Sequence, residues 1–391
     1  MRNIIGSPTG GDDFFDRHSE IRQLRTELDN DANILLTAPR RVGKTSLALK
    51  LCDVLRQEKW CAAFFDAESC TDETEFVEAL IRALREKEIN LEGVHRVQGW
   101  LGDLRKYFDS VGGNLFSVKF RTDQGSFDDQ VRSLFDQPAK EGWKLLIVVD
   151  ELPVMLNRLL MEDKGAERAR EFLHWLRELR QAYRGSVQWM LLGSIGLNSF
   201  TETRGLTATI NDLTAVSLGA FLEVDAHAFL EKLGDDNYYP LSYEIRSRIL
   251  EIVGWALPYH LQLMFHALRE LEGSPSATGV DRAFESLLDP AKSIYFDTWR
   301  QRLAEQLEPA GAAMAMSLLT ELCRHNAGRT RPQLHSFLMR RNPTVDPEAV
   351  QQQLSALLQI LQRDGYLAVE GGKYLFRSFL LREYWRRREV L

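Results

Sequence analysis

The segment Ala38-Pro39-Arg40-Arg41-Val42-Gly43-Lys44-Thr45 follows a short apolar run, Ile34-Leu35-Leu36-Thr37, and precedes a helical pattern from Ser46 to about Arg56. No other feature limits the possible folds so sharply. Glycine, lysine and a hydroxyl residue in a strand-to-helix turn make a phosphate loop. Successive backbone N–H groups curl around phosphate oxygens at the positive end of a helix. Gly43 lets the backbone approach closely, Lys44 reaches the β- and γ-phosphates, and the Thr45 hydroxyl ligates Mg²⁺. The consensus loop begins with glycine, and the small Ala38 stands there instead.

A second motif lies about 100 residues on. Leu146-Ile147-Val148-Val149-Asp150-Glu151 is an apolar strand ending in two acids. In phosphoryl-transfer sites the first such acid holds Mg²⁺ and the second orients the attacking water. Asp150 is therefore the expected metal residue and Glu151 the expected general base. Leu191-Leu192-Gly193-Ser194 ends the next apolar run. Ser194 is a candidate γ-phosphate sensor, with a helix N-cap as the other reading of the same serine.

Around these motifs, strands alternate with helices, which implies a parallel sheet covered on both faces. Cys61–Asp66 is an apolar run ending in a carboxylate, Glu75 to about Lys87 has helical spacing, and residues 165–183 form another helix. Residues 109–128 are rich in Gly, Ser and Asp around one candidate strand, Leu115–Phe120. Strand signals stop near residue 217. Residues 221–286 suggest four helices, broken at Gly234–Asn237, at Gly254 and at Gly273-Ser274-Pro275. From about residue 310 come three helices and a hairpin pattern, Tyr366–Val369 and Tyr374–Phe376 around Gly371-Gly372. The expected architecture is an α/β P-loop NTPase core with a parallel sheet (residues 1–216), an all-helical lid (217–290) and a winged-helix domain (291–391).

A chain of 391 residues has room for that many domains. Its net charge is −7, yet residues 291–391 hold 15 Lys and Arg against 10 Asp and Glu, and the remainder holds 34 against 46. An acidic body with a basic C-terminal module suggests a division of labour. No uncharged apolar run approaches the ~20 residues of a membrane span, and the N-terminal residues lack the apolar core of a secretory signal. Cys52, Cys61, Cys70 and Cys323 show no CxxC spacing, so neither a disulfide framework nor a zinc site is expected and a cytoplasmic location is.

These pieces together resemble the STAND branch of P-loop ATPases, near the AAA+ and origin-recognition type, and within it the prokaryotic archaeal-type ATPase group. The likeness rests on Phe14-Phe15-Asp16-Arg17, on Pro39 to Leu47, on Asp150-Glu151-Leu152-Pro153, on Leu192-Gly193-Ser194 and on Gly254-Trp255-Ala256-Leu257-Pro258-Tyr259. Trp255 stands where the group's lid motif has a second glycine. The resemblance implies an ATPase using ATP and Mg²⁺. It places Phe15 and Arg17 beside the adenine, Pro39, Arg40, Arg41, Val42, Gly43, Lys44, Thr45 and Ser46 around the phosphates, and Pro258 against the base. It assigns Lys44, Glu151 and Ser194 to catalysis and Thr45 and Asp150 to the metal. It also implies a homo-oligomer in which a neighbour supplies an arginine. Arg184 and Arg204 flank the sensor strand, and neither is assigned that role.

In the basic module, helix 346–364 carries Val350, Leu354, Leu357, Leu358 and Leu361 on one face and Gln351, Gln352, Gln353, Gln359 and Gln362 over much of the rest. Glutamines can read base edges if such a helix enters a major groove. Arg340, Arg341, Lys373, Arg377, Arg386, Arg387 and Arg388 are candidate phosphate contacts. DNA contact and docking of an effector protein both remain open at this level. The leading expectation is a slowly hydrolysing ATP switch whose nucleotide state controls oligomerisation and engagement of DNA or an effector, in a prokaryotic defence or mobile-element setting. The alternative is a DNA-binding initiator, loader or transposition-type ATPase. A third class, a non-catalytic adaptor that merely holds nucleotide, has no need of Glu151.

Overall fold

A computed structural model describes residues 1–86, 124–193, 196–271, 273–341 and 343–390. Ser194 and the candidate strand Leu115–Phe120 lie outside the described residues. The chain forms two compact units, one of residues 17–37 and 44–218, the other of residues 1–16, 38–43 and 219–391. The phosphate loop is thus where the chain passes from the first unit to the second and back.

The first unit is a parallel sheet with helices on both faces. Its strands are β1 (Asn33–Thr37), β2 (Cys61–Asp66), β3 (Leu145–Asp150), β4 (Val187–Gly193) and β5 (Leu213–Ser217), in the order β2-β3-β4-β1-β5. Every β3 residue is buried, so the strand reads as a continuous apolar run rather than an alternation. Full burial of each large aliphatic side chain contributes about 1.5–3 kcal/mol. Helices α1 (His18–Asp29) and α2 (Lys44–Gln57) bury Leu24, Leu28, Leu47, Leu51 and Leu55. Helices α3 (Glu73–Glu86), α4 (Gln124–Glu141), α5 (Leu152–Leu159) and α6 (Gly165–Ala182) pack with Ile147, Val149, Trp189 and Leu191 around Phe76, Phe135 and Phe172. Residues 124–128, expected in an irregular stretch, begin α4 instead. A short helix, α7 (Leu197–Glu202), follows β4.

Strand β5 was not legible from its sequence, because Leu213-Thr214-Ala215-Val216-Ser217 is short and mixed. It is an edge strand, held by parallel pairing to β1 from Asn33↔Leu213 to Thr37↔Ser217. Its entry is pinned by Arg180, 1% exposed, which donates to both Asp212 carboxylate oxygens at 2.8 and 2.9 Å and to the Thr209 carbonyl at 2.6 Å.

The second unit has the four expected helices, α8 (Glu223–Asp236), α9 (Tyr243–Val253), α10 (Pro258–Arg269) and α11 (Ala277–Leu287). Each break has a local cause. Ser242 and Ser276 cap the starts of α9 and α11, Gly254 ends α9 at φ +69°, and Pro258 opens α10, where a missing N–H costs nothing. Next comes α12 (Ile294–Gln306), which the sequence pattern did not disclose. Helices α13 (Pro309–Cys323), α14 (Arg331–Arg341) and α15 (Pro347–Arg363) follow. A short strand β6 (Arg329–Thr330) pairs with β8 (Lys373–Phe376), and β8 pairs antiparallel with β7 (Leu367–Glu370). Gly371 and Gly372 close that hairpin with φ of +53° and +75°, the signs a two-residue turn between twisted strands requires. A final helix, α16 (Phe379–Glu389), was also unforeseen and buries Leu380, Leu381, Tyr384 and Trp385.

Removing one member of a buried ion pair strands the other. Arg180→Leu is therefore expected to destabilise the sheet unit by about 3 kcal/mol. Chemical denaturation followed by circular dichroism measures it, and a change below ~0.5 kcal/mol would mean that Asp212 is solvated well enough to stand alone.

Candidate functional site

Parallel pairing places the ends of the strands level with one another. Asp66 is the register partner of Asp150, Leu191 of Val149, and Thr37 of both Gly193 and Ser217. All polar strand-end residues therefore lie along one edge of the sheet, the carboxyl edge where open α/β sheets bind ligands.

Helix α2 starts at that edge, so Lys44 and Thr45 form its first turn. The Thr45 hydroxyl donates to Asp150 Oδ2 at 2.6 Å, and the Glu151 N–H donates to Asp150 Oδ1 at 3.0 Å. Lys44 Nζ stands 3.6 Å from Glu151 Oε1. Lys44 is 7% exposed and Asp150 only 3%. Burial holds the Asp150 carboxyl above the usual range despite the opposing Lys44 charge and the Thr45 hydrogen bond, and the negative charge of Glu151 adds to the rise. Glu151 turns the chain from β3 into α5 at φ +49°, a left-handed conformation uncommon outside glycine, and this aims its carboxylate back at Lys44 rather than along the helix. Lys44, Thr45, Asp150 and Glu151, drawn from two distant motifs, thus form one contact cluster.

A third acid joins them. Asp66 ends β2 beside Asp150, and partial desolvation together with the Glu151 charge raises its carboxyl as well. The sequence had shown an apolar run ending in a carboxylate without giving it a role. The missing signal was strand order, because only the pairing of β2 with β3 sets the two aspartates side by side.

The loop before Lys44 has the backbone of an anion nest. Arg41 has φ +65° and Gly43 φ +93°, and a Cβ on Gly43 would meet nothing within 4 Å, so the peptide there is open to a ligand. Ala38 is buried at the start of the loop, as a small first residue should be, and Val42 is buried within it. Arg40 is half-buried, and Ser46 is buried in the first turn of α2. The Arg41 guanidinium lies 4.1 Å from the ring centroid of Tyr259.

The remaining candidates have plain local surroundings. Phe15 makes edge contacts with Phe221 and Phe229 at 5.9 and 5.3 Å. Arg17, buried at φ +65° before α1, pairs with Glu20 at 2.7 Å. Pro258 is the first residue of α10. In the C-terminal part, Gln351, Gln352, Gln353 and Gln359 are exposed on α15, whereas Gln362 donates to the Leu358 carbonyl. The arginines of α16 are already engaged: Arg386 with Glu383, Arg387 with both oxygens of Glu285, and Arg388 with Asp297. Each of the three thus meets an acid of its own unit.

No protein-family model matches the chain, and no curated protein does. Solved structures do. The Walker-type ATPase of Pyrococcus abyssi superposes with a TM-score of 0.69 at 16% identity, over 99% of this chain and 100% of that one. The ORC2 protein of Aeropyrum pernix, determined as ADPNP–ADP complexes, superposes with a TM-score of 0.58 at 14% identity, over 96% of each chain. The chain has the α/β P-loop fold of these two proteins. Among the described residues, no helix is long and apolar enough to cross a membrane.

A buried carboxyl with a raised pKa makes the folded state bind its proton more tightly than the unfolded state. Its ionisation therefore lowers stability as pH rises from the ordinary carboxylate range through the raised value. Asp150→Asn removes that charge, and its amide still pairs with Thr45. The variant is expected to melt higher than the parent near pH 7 without nucleotide, with the difference shrinking as pH falls toward 4. Equal melting temperatures at both pH values would show that the pocket bears the ionised group without penalty.

Proposed function

We propose that the protein binds ATP with Mg²⁺ and hydrolyses it slowly, as a switch whose nucleotide state governs self-association and engagement of DNA or an effector protein. The single observation that carries this is the cluster of Lys44, Thr45, Asp150 and Glu151 at the end of the phosphate loop. The chemistry of the donors fits a magnesium nucleotide. Thr45 and Asp150 offer two hard oxygen ligands 2.6 Å apart, next to the loop that would bear the phosphates. Among the described residues, no group of three or more His, Cys, Asp or Glu is placed to hold a metal by itself. Magnesium would thus complete its shell with phosphate oxygens and water, and when bound it supplies neutralisation of phosphate charge.

Lys44 would be drawn from Glu151 to the β- and γ-phosphates, leaving the Glu151 carboxylate free to accept a proton from the attacking water. The pairing of Lys44 with Glu151 in this structure keeps base and cation mutually occupied without nucleotide. Residues 217–290 serve in this reading as the lid and 291–391 as a winged helix, supported by the helices α13, α14 and α15 and the three-stranded β6-β8-β7 sheet. Oligomerisation follows from catalytic need: a neighbour's arginine would complete the site. The STAND character, the cytoplasmic setting and the defence or mobile-element context belong to the same proposal.

A second function, DNA loading, is favoured by the exposed glutamines of α15, which leave a polar, uncharged helix face available to base edges. It predicts that Gln352→Ala alters sequence preference in binding assays on the full chain at ~50 mM salt. Because their charges are already paired, replacing Arg386, Arg387 and Arg388 by Gln should leave the salt dependence of binding unchanged. A slope flattened by several units would put those arginines on phosphates after all.

Two substitutions test the ATPase itself. Lys44→Ala is expected to weaken ATP binding in calorimetry at least ~30-fold, the scale of a charge-assisted contact worth about 2 kcal/mol. Glu151→Gln should keep ATP binding yet slow turnover at least ~100-fold, as loss of a general base does. Parental turnover in Glu151→Gln would move the base to another residue.

A further inference from the structure

Within the second unit, the segment joining α9 to α10 is gripped from two sides. On one side is the phosphate loop. A Cβ on Gly365 would lie 2.9 Å from Pro39 Cβ and 2.6 Å from the edge of the Trp255 ring, so Pro39, Trp255 and Gly365 meet at one point. One helical turn on, Tyr259 carries the Arg41 guanidinium on its ring face. On the other side is the C-terminal hairpin and its exit. The Arg377 guanidinium, one residue past β8, sits 5.1 Å from the Trp255 ring centroid. The Ser378 hydroxyl donates to the Val253 carbonyl at 3.1 Å and lies 3.4 Å from His260 Nδ1. A Cβ on Gly254 would come within 2.9 Å of the Phe379 nitrogen.

We propose that Trp255 is the coupling residue through which phosphates bound in the loop at residues 38–45 reposition the β7–β8 hairpin. This rests on the phosphate-loop reading above. The loop must accept several negative charges, and its stacked cation, Arg41, is anchored to the same helix, α10, that Trp255 precedes. A phosphate that draws Arg41 or shifts Pro39 therefore loads the segment 254–259 directly. Trp255 is a rigid, half-buried plate set against Gly365 and Arg377. Gly365 bears no side chain, sits at φ +87°, and joins α15 to β7 with the indole filling the space a Cβ would take. Close-packed contacts of this kind transmit displacement rather than absorb it. Proton uptake is not part of the device: burial, with the Arg41 charge behind it, pushes His260 down to about 3, so this ring beside Ser378 stays neutral.

Coupling is reciprocal, so a change at the hairpin end must alter nucleotide affinity by the same factor. The test uses the full chain, with magnesium and AMPPNP as probe, calorimetry for binding and hydrogen exchange of residues 366–377 for the hairpin. In the parent, nucleotide is expected to change exchange in 366–377 by at least ~5-fold, the lower end of typical coupling. Trp255→Ala should still bind, with that response lost, while Trp255→Phe, which keeps a ring against Pro39, retains it. Gly365→Ala should weaken binding by at least ~5-fold, and adding Trp255→Ala should restore most of it, although the left-handed strain at residue 365 is the same in both. Should Trp255→Ala fail to fold, Trp255→Leu takes its place in the same comparisons. A hairpin response undiminished by loss of the indole, or a Gly365→Ala penalty unchanged in the double variant, overturns the proposal. Binding by the parent without any hairpin response overturns the coupling alone, and absence of binding removes the phosphate-loop reading with it.

Discussion

A carboxylate at the end of a wholly buried strand is stable only if donors and a cation face it. Asp150 meets that condition through the Thr45 hydroxyl, the Glu151 N–H and the nearby Lys44 charge. Much else is arranged around this need. Helix α2 must begin where it does, so that its first turn presents Lys44 and Thr45 to the end of β3. The loop before it must turn through left-handed backbone at Arg41 and Gly43 to enter that helix.

The sheet order makes the arrangement possible. Strand β4 stands between β1 and β3, so the strand feeding the loop and the strand bearing the acids are two inter-strand spacings apart, about 9.6 Å. Lys44, in the first turn of α2, spans that distance to come within 3.6 Å of Glu151. The same edge collects Asp66, Thr37, Gly193 and Ser217, because parallel strands in register end together. The polar groups lie along the rim and the apolar bodies of the strands lie below, so the cluster is anchored in a packed core.

In the other unit, tight junctions replace the sheet as the organising feature. Gly254 and Gly365 each allow a backbone or ring to approach where a larger side chain would not fit, and the buried Ser378 hydroxyl ties the hairpin exit to the Val253 carbonyl. They draw the α9–α10 segment, the hairpin and the phosphate loop together around Trp255. Its aromatic plate holds Arg377 on one face, and this uses a charge that a sequence reading would have offered to DNA. The α16 arginines follow the same rule, since each meets an acid of its own unit.

The sequence by itself determined the two motifs, the strands β1 to β4, the helices of residues 221–286 and the glycine hairpin. These signals are local: period, apolar runs, and glycine or proline punctuation. It also named Lys44, Thr45, Asp150 and Glu151, because a strand-to-helix turn and an apolar strand ending in acids constrain their surroundings within a few residues. Only tertiary structure decided the place of Asp66 beside Asp150, the partners of Arg386, Arg387 and Arg388, the edge strand β5 and the helices α12 and α16. In each case the deciding partner is remote in sequence: Asp150 for Asp66, Glu285 for Arg387, β1 for β5. Pairing across such distances is set by which surfaces pack together, and the residues themselves carry no mark of it. Trp255 shows the same division, an exception in a loop motif on the page and a junction between three segments in the fold.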